Sequence, residues 1–348
     1  MDRFALICLC FVAALWASAS SALALDACGA SPDGKHLVVG GANRAIYLYD
    51  TESWEMLEKV RVDYRVQGIH FDSTGDQCVV NGGGRDLLVY DVENWKQVKK
   101  VKGAIACAIA PKAPVAGTIR KKRGGGWKDR VLIVWSLPEW EVKKKIDLPE
   151  DFKPMQTVFS EDAKICYLRS GRFRNKKEKE ADAGPRPESH MERNLWRQRT
   201  DGYVSKIMAM DVEAEKIIKT IECFDTPNKF DIFPAENGAV FACYGRYVAT
   251  FDVEKGTYET KPTGEFAYGS GMGPAGNIWT GSLRSYLVLS PDSKKLGQGK
   301  IDQLPGFPEY FRDFTPLGDD KVVAVTDAWR IVIFDAQKYE VLKTIPCY

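Results

Sequence analysis

Cationic side chains are concentrated in two segments of this 348-residue sequence. Residues 120–130 contain six basic residues and one acidic residue, and residues 172–201 contain nine basic and six acidic residues. The two segments together carry an excess of eight positive charges, whereas the formal net charge of the whole chain is only +2. Segregated positive charge attracts anionic partners and steers their approach, so the two segments predict a site for an acidic protein or an anionic polymer. The candidate binding residues are Arg120, Lys121, Lys122, Arg123, Trp127, Lys128, Arg130, Arg172, Arg174 and Arg197.

Catalytic motifs are sparse in this sequence. His36 and His70 could act as general bases, but a single residue type marks a site poorly, and packed histidines are the more common case. A Gly-x-Ser-x-Gly nucleophile elbow is absent. The glycine runs 82–84 and 124–126 are not followed by Lys-Ser/Thr, so they indicate turns and not phosphate-binding loops. We therefore assign no catalytic residue and expect no cofactor.

A repeat of about 40 residues predicts the strands that position the two charged segments. Alternating apolar residues and tight-turn residues at this period are typical of β-propeller blades. The third predicted strand of each unit ends in an apolar or aromatic residue and a polar one, at spacings of 41, 45, 75, 41, 38 and 45 residues. These pairs are Tyr49-Asp50, Tyr90-Asp91, Trp135-Ser136, Met210-Asp211, Phe251-Asp252, Leu289-Ser290 and Phe334-Asp335. The repeat predicts an all-β, seven-bladed propeller of four-stranded antiparallel blades.

The turn Ser31-Pro-Asp-Gly-Lys35, followed by strands that end in Tyr-Asp, resembles the WD40 and YVTN groups of propellers. The resemblance covers nearly the whole chain. No unit contains the Gly-His pair or the terminal Trp-Asp of WD40 repeats, so the sequence is closer to the looser YVTN-like propellers, which are common among secreted bacterial proteins. The resemblance implies a fold that many unrelated functions share.

Two insertions, at residues 119–130 and 171–202, separate the second and third strands of the third and fourth units. In a four-stranded blade these connections emerge on the same face as the connections between blades. That face should also present the channel-mouth candidates Tyr64, Arg65, Lys153, Lys229, Tyr310 and Arg312. Possible oxygen ligands for a metal ion near the same positions are Asp63, Asn228, Asp231, Glu265, Glu309 and Asp313. Because cations are interleaved with these groups, we assign no metal site and favour a site for a polar or anionic group.

The first 24 residues are typical of a secretory signal peptide. Arg3 precedes an apolar run at residues 4–16, and Ala22 and Ala24 are the small residues expected before a cleavage site. The run is too short to span a bilayer, and no further membrane segment is predicted. We expect residues 25–348 to form one domain that is exported to the periplasm or the extracellular space. Export makes nucleic acid an unexpected partner.

Closure of the predicted ring depends on its two ends. No strand is left over at either end, so we expect the ring to close without a shared strand. Cys28 and Cys347 lie at the two ends and are candidates for a disulfide clasp. The seven cysteines after residue 24 are an odd number, which leaves at least one thiol free or bonded to another chain.

Two hypotheses for function follow. In the first, the protein is a non-enzymatic, secreted interaction platform for a protein or polyanion, with the basic insertions as its binding face. In the second, it is an exported enzyme of the lactonase or dehydrogenase-subunit type with a site at the channel mouth. The lack of a nucleophile motif or ligand constellation favours the first.

Overall fold

The computed structural model describes residues 24–82, 86–121, 129–150, 152–173, 203–223, 231–234, 239–302 and 308–347, with a few isolated positions between these ranges. The 27 strands of this part form seven antiparallel sheets, each a meander of consecutive strands. No helix in the described residues is long and apolar enough to cross a membrane. The prediction of an all-β, seven-bladed propeller is confirmed.

The first sheet contains β1 (Leu25–Ala30), β2 (His36–Gly41), β3 (Ala45–Asp50) and β4 (Met56–Arg61). The second contains β5 (Gly68–Phe71), β6 (Gln77–Asn81), β7 (Leu87–Asp91) and β8 (Gln97–Val101). The third contains β9 (Ala104–Ile109), β10 (Val115–Lys121), β11 (Arg130–Ser136) and β12 (Glu141–Asp147). The fourth contains β13 (Pro154–Phe159), β14 (Ile165–Phe173), β15 (Tyr203–Asp211) and β16 (Lys216–Cys223).

The fifth sheet has three strands, β17 (Asp231–Pro234), β18 (Ala239–Asp252) and β19 (Thr257–Ala267). The long strand β18 pairs with β17 through residues 240–243 and with β19 through residues 245–252, so one strand covers the second and third positions of this blade. The sixth contains β20 (Gly269–Met272), β21 (Ile278–Gly281), β22 (Ser285–Leu289) and β23 (Lys295–Lys300), with a short 3₁₀ segment at Pro274–Gly276. The seventh contains β24 (Phe311–Leu317), β25 (Lys321–Thr326), β26 (Arg330–Asp335) and β27 (Glu340–Pro346).

The polar residue that ends a third strand organises the turn into the fourth strand. The Asp50 carboxylate accepts hydrogen bonds from the backbone N–H groups of Glu52 (3.0 Å) and Ser53 (2.7 Å). The Trp54 N–H then bonds the Asp50 carbonyl, and Trp54 adopts a φ of 62°. An aspartate that bonds its own backbone in this way favours a turn over continued strand. The same carboxylate-to-backbone contact recurs at Asp91, Asp211, Asp252 and Asp335.

Seven clusters of buried apolar side chains hold the sheets together in the described part of the chain. Each cluster joins two consecutive sheets, and one joins the last sheet to the first. The first strands of neighbouring sheets contact one another around the whole circle, so they are the innermost strands. The fourth strands, by contrast, are largely exposed. The sheets therefore form a closed ring with an apolar layer in every interface between blades.

Side chains close the seam between the first and last blades, and within the described residues the two sheets share no strand. The seam cluster combines Leu25, Tyr47 and Tyr49 with Val323 and Ile333, all buried. Polar contacts also cross it: the Cys28 N–H donates to Asp313 Oδ2 (2.9 Å), the Cys28 thiol contacts the Val323 carbonyl (3.9 Å), and the Tyr49 hydroxyl donates to Cys347 Sγ (2.9 Å).

The predicted disulfide clasp is absent, because Cys28 and Cys347 are both free, buried thiols. Cys28 lies on an innermost strand and contacts the Val323 carbonyl, whereas Cys347 follows an outermost strand and contacts Tyr49 on β3. The two residues therefore lie at opposite radial positions of neighbouring blades, and strands in a sheet are about 4.8 Å apart. A disulfide requires a Cα separation below about 7 Å.

Candidate functional site

The strand ends define one face of the ring, which we call the insertion face. It carries the connections from second to third strands within a blade, together with the connections between blades. β10 ends at Lys121 and β11 begins at Arg130, while β14 ends at Phe173 and β15 begins at Tyr203. Both insertions therefore leave and re-enter adjacent blades on this face.

The structure describes only part of the predicted basic site. Arg120 is half-buried and Lys121 exposed at the end of β10, and Arg130 is half-buried at the start of β11. Burial lowers the pKa of the Arg130 guanidinium, and its Nε and Nη1 atoms have no hydrogen-bond acceptor among the described residues. Arg172 belongs to β14, although its side chain is not described. Lys122, Arg123, Trp127, Lys128, Arg174, Arg197 and Lys229 lie outside the described residues.

Tyr64 is a packing residue, which corrects its prediction as a binding residue at the channel mouth. Its side chain is buried, and its hydroxyl donates to the Val80 carbonyl (3.2 Å). Its ring lies so close to Gly82 that a Cβ at that position would be 2.2 Å from the nearest ring atom. Tyr64 lies in the loop, four residues before β5 begins. Its side chain therefore packs against Gly82 and does not stand at the start of the inner strand.

Arg65 and Lys153 remain accessible on the insertion face. The Arg65 guanidinium makes a two-pronged contact with Asp26, with its Nε donating to Oδ2 (2.8 Å) and its Nη2 to Oδ1 (2.6 Å). This pair raises the pKa of Arg65 and neutralises part of its charge locally. Lys153 is exposed, and its backbone N–H donates to Ser170 Oγ (3.0 Å).

Tyr310 and Arg312 are brought together by Asp327. The Asp327 carboxylate accepts a hydrogen bond from the Tyr310 N–H (2.8 Å) and pairs with Arg312 Nη2 (2.9 Å). Burial raises the pKa of Asp327, since the lost hydration outweighs these contacts. Tyr310 also contacts the Tyr268 ring edge-to-face, with a centroid distance of 4.7 Å.

A buried ion pair supports this part of the face, and the sequence did not reveal it. Glu309 is fully buried and accepts from Arg330 Nε and Thr326 Oγ1, each at 2.7 Å. Arg330 also contacts the second Glu309 oxygen and donates to the Asp302 carbonyl. The backbone carbonyl of Glu309 accepts from the Arg284 N–H (3.0 Å). The pair therefore fixes the loop that precedes β24 to the turn between β25 and β26.

The described oxygen-ligand candidates do not converge on a metal site. Glu309 is committed to Arg330, and Asp313 accepts hydrogen bonds from the N–H groups of Cys28 and Phe314. Among the described residues, no three His, Cys, Asp or Glu side chains are arranged to hold a metal ion. Asn228 lies outside the described residues, and the side chains of Asp231 and Glu265 are not described.

The two histidines in the described residues lie on strands. His70 lies on the inner strand β5, where burial lowers its pKa to about 4. Its imidazole is therefore neutral near pH 7. His36 begins β2, and its backbone N–H donates to Ser31 Oγ (2.9 Å) in the preceding turn.

Inner strands carry β-bulges that sequence periodicity did not reveal. The register skips Asp26, Ile105, Met155 and Arg312, each the second residue of its strand. Bulges re-aim side chains and are frequent next to functional sites. Met155 is 53% exposed although it lies on an innermost strand. We call the positions at the starts of the inner strands on this face the channel mouth.

The comparisons with known proteins support the fold. No protein-family profile matches the sequence, and no curated protein sequence matches it. Among solved structures, hydrazine synthase from Kuenenia stuttgartiensis is similar, with a TM-score of 0.64 and 13% sequence identity over 93% of this chain and 96% of that chain. At this identity the likeness shows the fold alone, and the chain is a seven-bladed β-propeller.

Proposed function

We propose that this protein is a non-enzymatic, exported propeller that binds an acidic protein or an anionic polymer on its insertion face. One observation carries the proposal: two insertions with an excess of eight positive charges leave adjacent blades on the same face, while the whole chain has a net charge of +2. Long loops in compact domains are more often functional than not. We place the chain with the YVTN-like group of propellers on the same sequence features.

Export is part of the proposal and rests on the first 24 residues. Arg3, the apolar run at residues 4–16 and the small residues Ala22 and Ala24 match a cleavable signal. Partners outside the cytoplasm include acidic proteins and acidic polysaccharides.

The test replaces Arg120, Lys121, Lys122 and Arg123 with alanine and measures binding to poly-L-glutamate and to heparin at several salt concentrations. We expect affinity to fall about tenfold or more in the variant, and its dependence on salt to flatten, because fewer charges contribute to the attraction. The matched control removes four exposed lysines from the outer strands β8, β12 and β27, namely Lys99, Lys143, Lys145 and Lys343.

Equal losses in the two variants would show that net charge, and not the insertion face, governs binding. An enzyme is the alternative function. Turnover of a sugar lactone by the purified protein with added Ca²⁺, combined with unchanged polyanion binding in the Arg120–Arg123 variant, would favour that alternative.

A further inference from the structure

We propose that the channel mouth between the sixth and seventh blades is an apolar and cationic subsite that binds a segment of an acidic protein. The bound segment carries an aromatic or aliphatic side chain next to a carboxylate. The inference rests on the proposed function and narrows its partner from any polyanion to a protein. We call the subsite the tyrosine ledge and define it by Tyr268, Leu283, Tyr310 and Arg312.

The distribution of exposed apolar side chains singles out the channel mouth. Eleven large hydrophobic residues are exposed in the described part of the chain, and eight of them lie on fourth strands. There they are interspersed with polar and lysine side chains on the outer edges of the blades, which is ordinary for half-exposed strands. The other three are Met155, Tyr268 and Leu283. Met155 and Tyr268 lie at the starts of inner strands, and Leu283 lies in the connection between β21 and β22. Tyr268 and Leu283 both contact Tyr310, and neighbouring exposed apolar side chains on a charged face mark a candidate interaction site.

The ledge is held in place by its backbone. The Tyr268 N–H donates to the Gly281 carbonyl (2.8 Å), and Leu283 pairs with Tyr310 in an isolated antiparallel bridge. The Tyr268 side chain is 50% exposed and that of Leu283 is 41% exposed. The two tyrosine rings meet edge-to-face, so one ring supports the other. Rigid tyrosines provide contact area at a low cost in side-chain entropy, which suits them to anchoring a peptide.

The cation of the ledge is Arg312. Its side chain is 34% exposed and uses Nη2 for Asp327. Its Nε is buried, so a ligand must bind the terminal N–H groups of the guanidinium. A guanidinium has five N–H donors, so a carboxylate can bind Arg312 without displacing Asp327. Asp327 and the buried Glu309–Arg330 pair hold the loop that carries Tyr310 and Arg312.

The chemistry of the ledge favours a protein over a sulfated or phosphorylated polymer. Such polymers offer charge and hydroxyl groups but no aliphatic side chain to cover Leu283. A peptide offers both a carboxylate for Arg312 and an apolar side chain for the ledge. Burying an apolar side chain is favourable in proportion to the area removed from water.

The test compares two polymers of equal length, poly-L-glutamate and a random copolymer of glutamate and tyrosine. We expect wild-type protein to bind the copolymer about tenfold more tightly. The Tyr268→Ala variant should lose about tenfold for the copolymer and change less than about twofold for poly-L-glutamate. The matched control is Leu342→Ala, because Leu342 is 53% exposed on an outer strand. Circular dichroism and thermal unfolding establish that each variant is folded.

Three outcomes would overturn the inference. The first is equal wild-type affinity for the two polymers. The second is an equal loss of copolymer binding in Tyr268→Ala and Leu342→Ala. The third is a loss of heparin binding in Tyr268→Ala as large as the loss for the copolymer, which would identify the ligand as a polysaccharide. All three leave the proposed function intact. That proposal fails separately if the Arg120–Arg123 variant binds poly-L-glutamate as tightly as wild type does.

Discussion

Glu309 illustrates how much one buried charge depends on its partner. Its carboxylate is fully buried and bonded to Arg330 and Thr326. Removing one member of such a pair leaves the other charge in a poorly hydrated site, whereas replacing both with apolar residues is often neutral.

We expect Glu309→Ala to lower the free energy of unfolding by about 3–5 kcal/mol, because Arg330 would lose its counter-charge while still buried. Urea unfolding at neutral pH measures the change. The control is the double variant Glu309→Leu with Arg330→Met, which should be more stable than the single variant. A double variant less stable than the single one would contradict this account of the pair.

At the residue scale, the sequence predicted candidate binding residues in the loops between blades without separating packed from accessible side chains. Tyr64 and Tyr310 both lie in loops between blades and were predicted to act alike. Tyr310 stands immediately before an inner strand, whereas Tyr64 lies four residues before β5 and packs against Gly82. Three residues of loop decide whether the tyrosine is packed between blades or half-buried at the start of an inner strand, and loop conformation is not encoded in a short pattern.

At the element scale, the turns explain why the sequence repeat could be recognised. The aspartates that end the third strands bond backbone N–H groups of the next turn, and this chemistry requires an oxygen at a fixed offset. The blade boundaries were therefore predictable. The bulges at Asp26, Met155 and Arg312 were not, because they depend on register against the neighbouring strand and leave the apolar pattern unchanged. Nor was the long strand β18 predicted.

Hydrogen bonds from the Ser53 backbone lower the pKa of Asp50 below its ordinary value of 3.8. A lowered carboxyl pKa contributes stability above the unfolded-state value, and the contribution is lost as the pH falls through the lower folded-state value. We expect Asp50→Asn to keep the turn but to weaken the loss of stability below pH 4. Asp50→Ala should lower stability at neutral pH as well.

Urea unfolding of the three proteins from pH 7 down to pH 2 tests the expectation. Asp319→Asn, at an exposed turn position between β24 and β25, makes the same chemical change elsewhere and is the control. A decline with acid that is as steep in Asp50→Asn as in wild type would argue that Asp50 does not contribute through its charge.

At the scale of the whole molecule, the sequence predicted the general arrangement of the seam between the first and last blades. The predicted disulfide across that seam was wrong. In the described part of the chain the first and last sheets share no strand, as the absence of a leftover strand predicted. The disulfide was a poor prediction because position at the two ends of a chain says nothing about the strand spacing between two thiols. Packing of Tyr47, Tyr49 and their neighbours takes its place.

We expect Cys28 and Cys347 to be recovered as unpaired thiols when the folded protein is denatured in the presence of an alkylating reagent. Peptide mapping by mass spectrometry without reduction makes the measurement. Cys78, Cys107 and Cys166 are also free and buried, so they serve as internal references. A peptide pair joined through Cys28 and Cys347 would contradict the seam described above.

The seam also bears on how the chain could be rewired. Every backbone ladder in the described sheets lies within a single blade, and no ladder crosses the seam. The seam resembles most of the other boundaries, a layer of side chains between two meanders. The boundary between the sixth and seventh blades differs, because the Leu283–Tyr310 bridge also links them. Joining the two ends of the described ring by a short linker and opening the chain at a boundary of the first kind would cut no ladder. The ring thus lends itself to circular permutation, with the blade order preserved in space while its starting point moves.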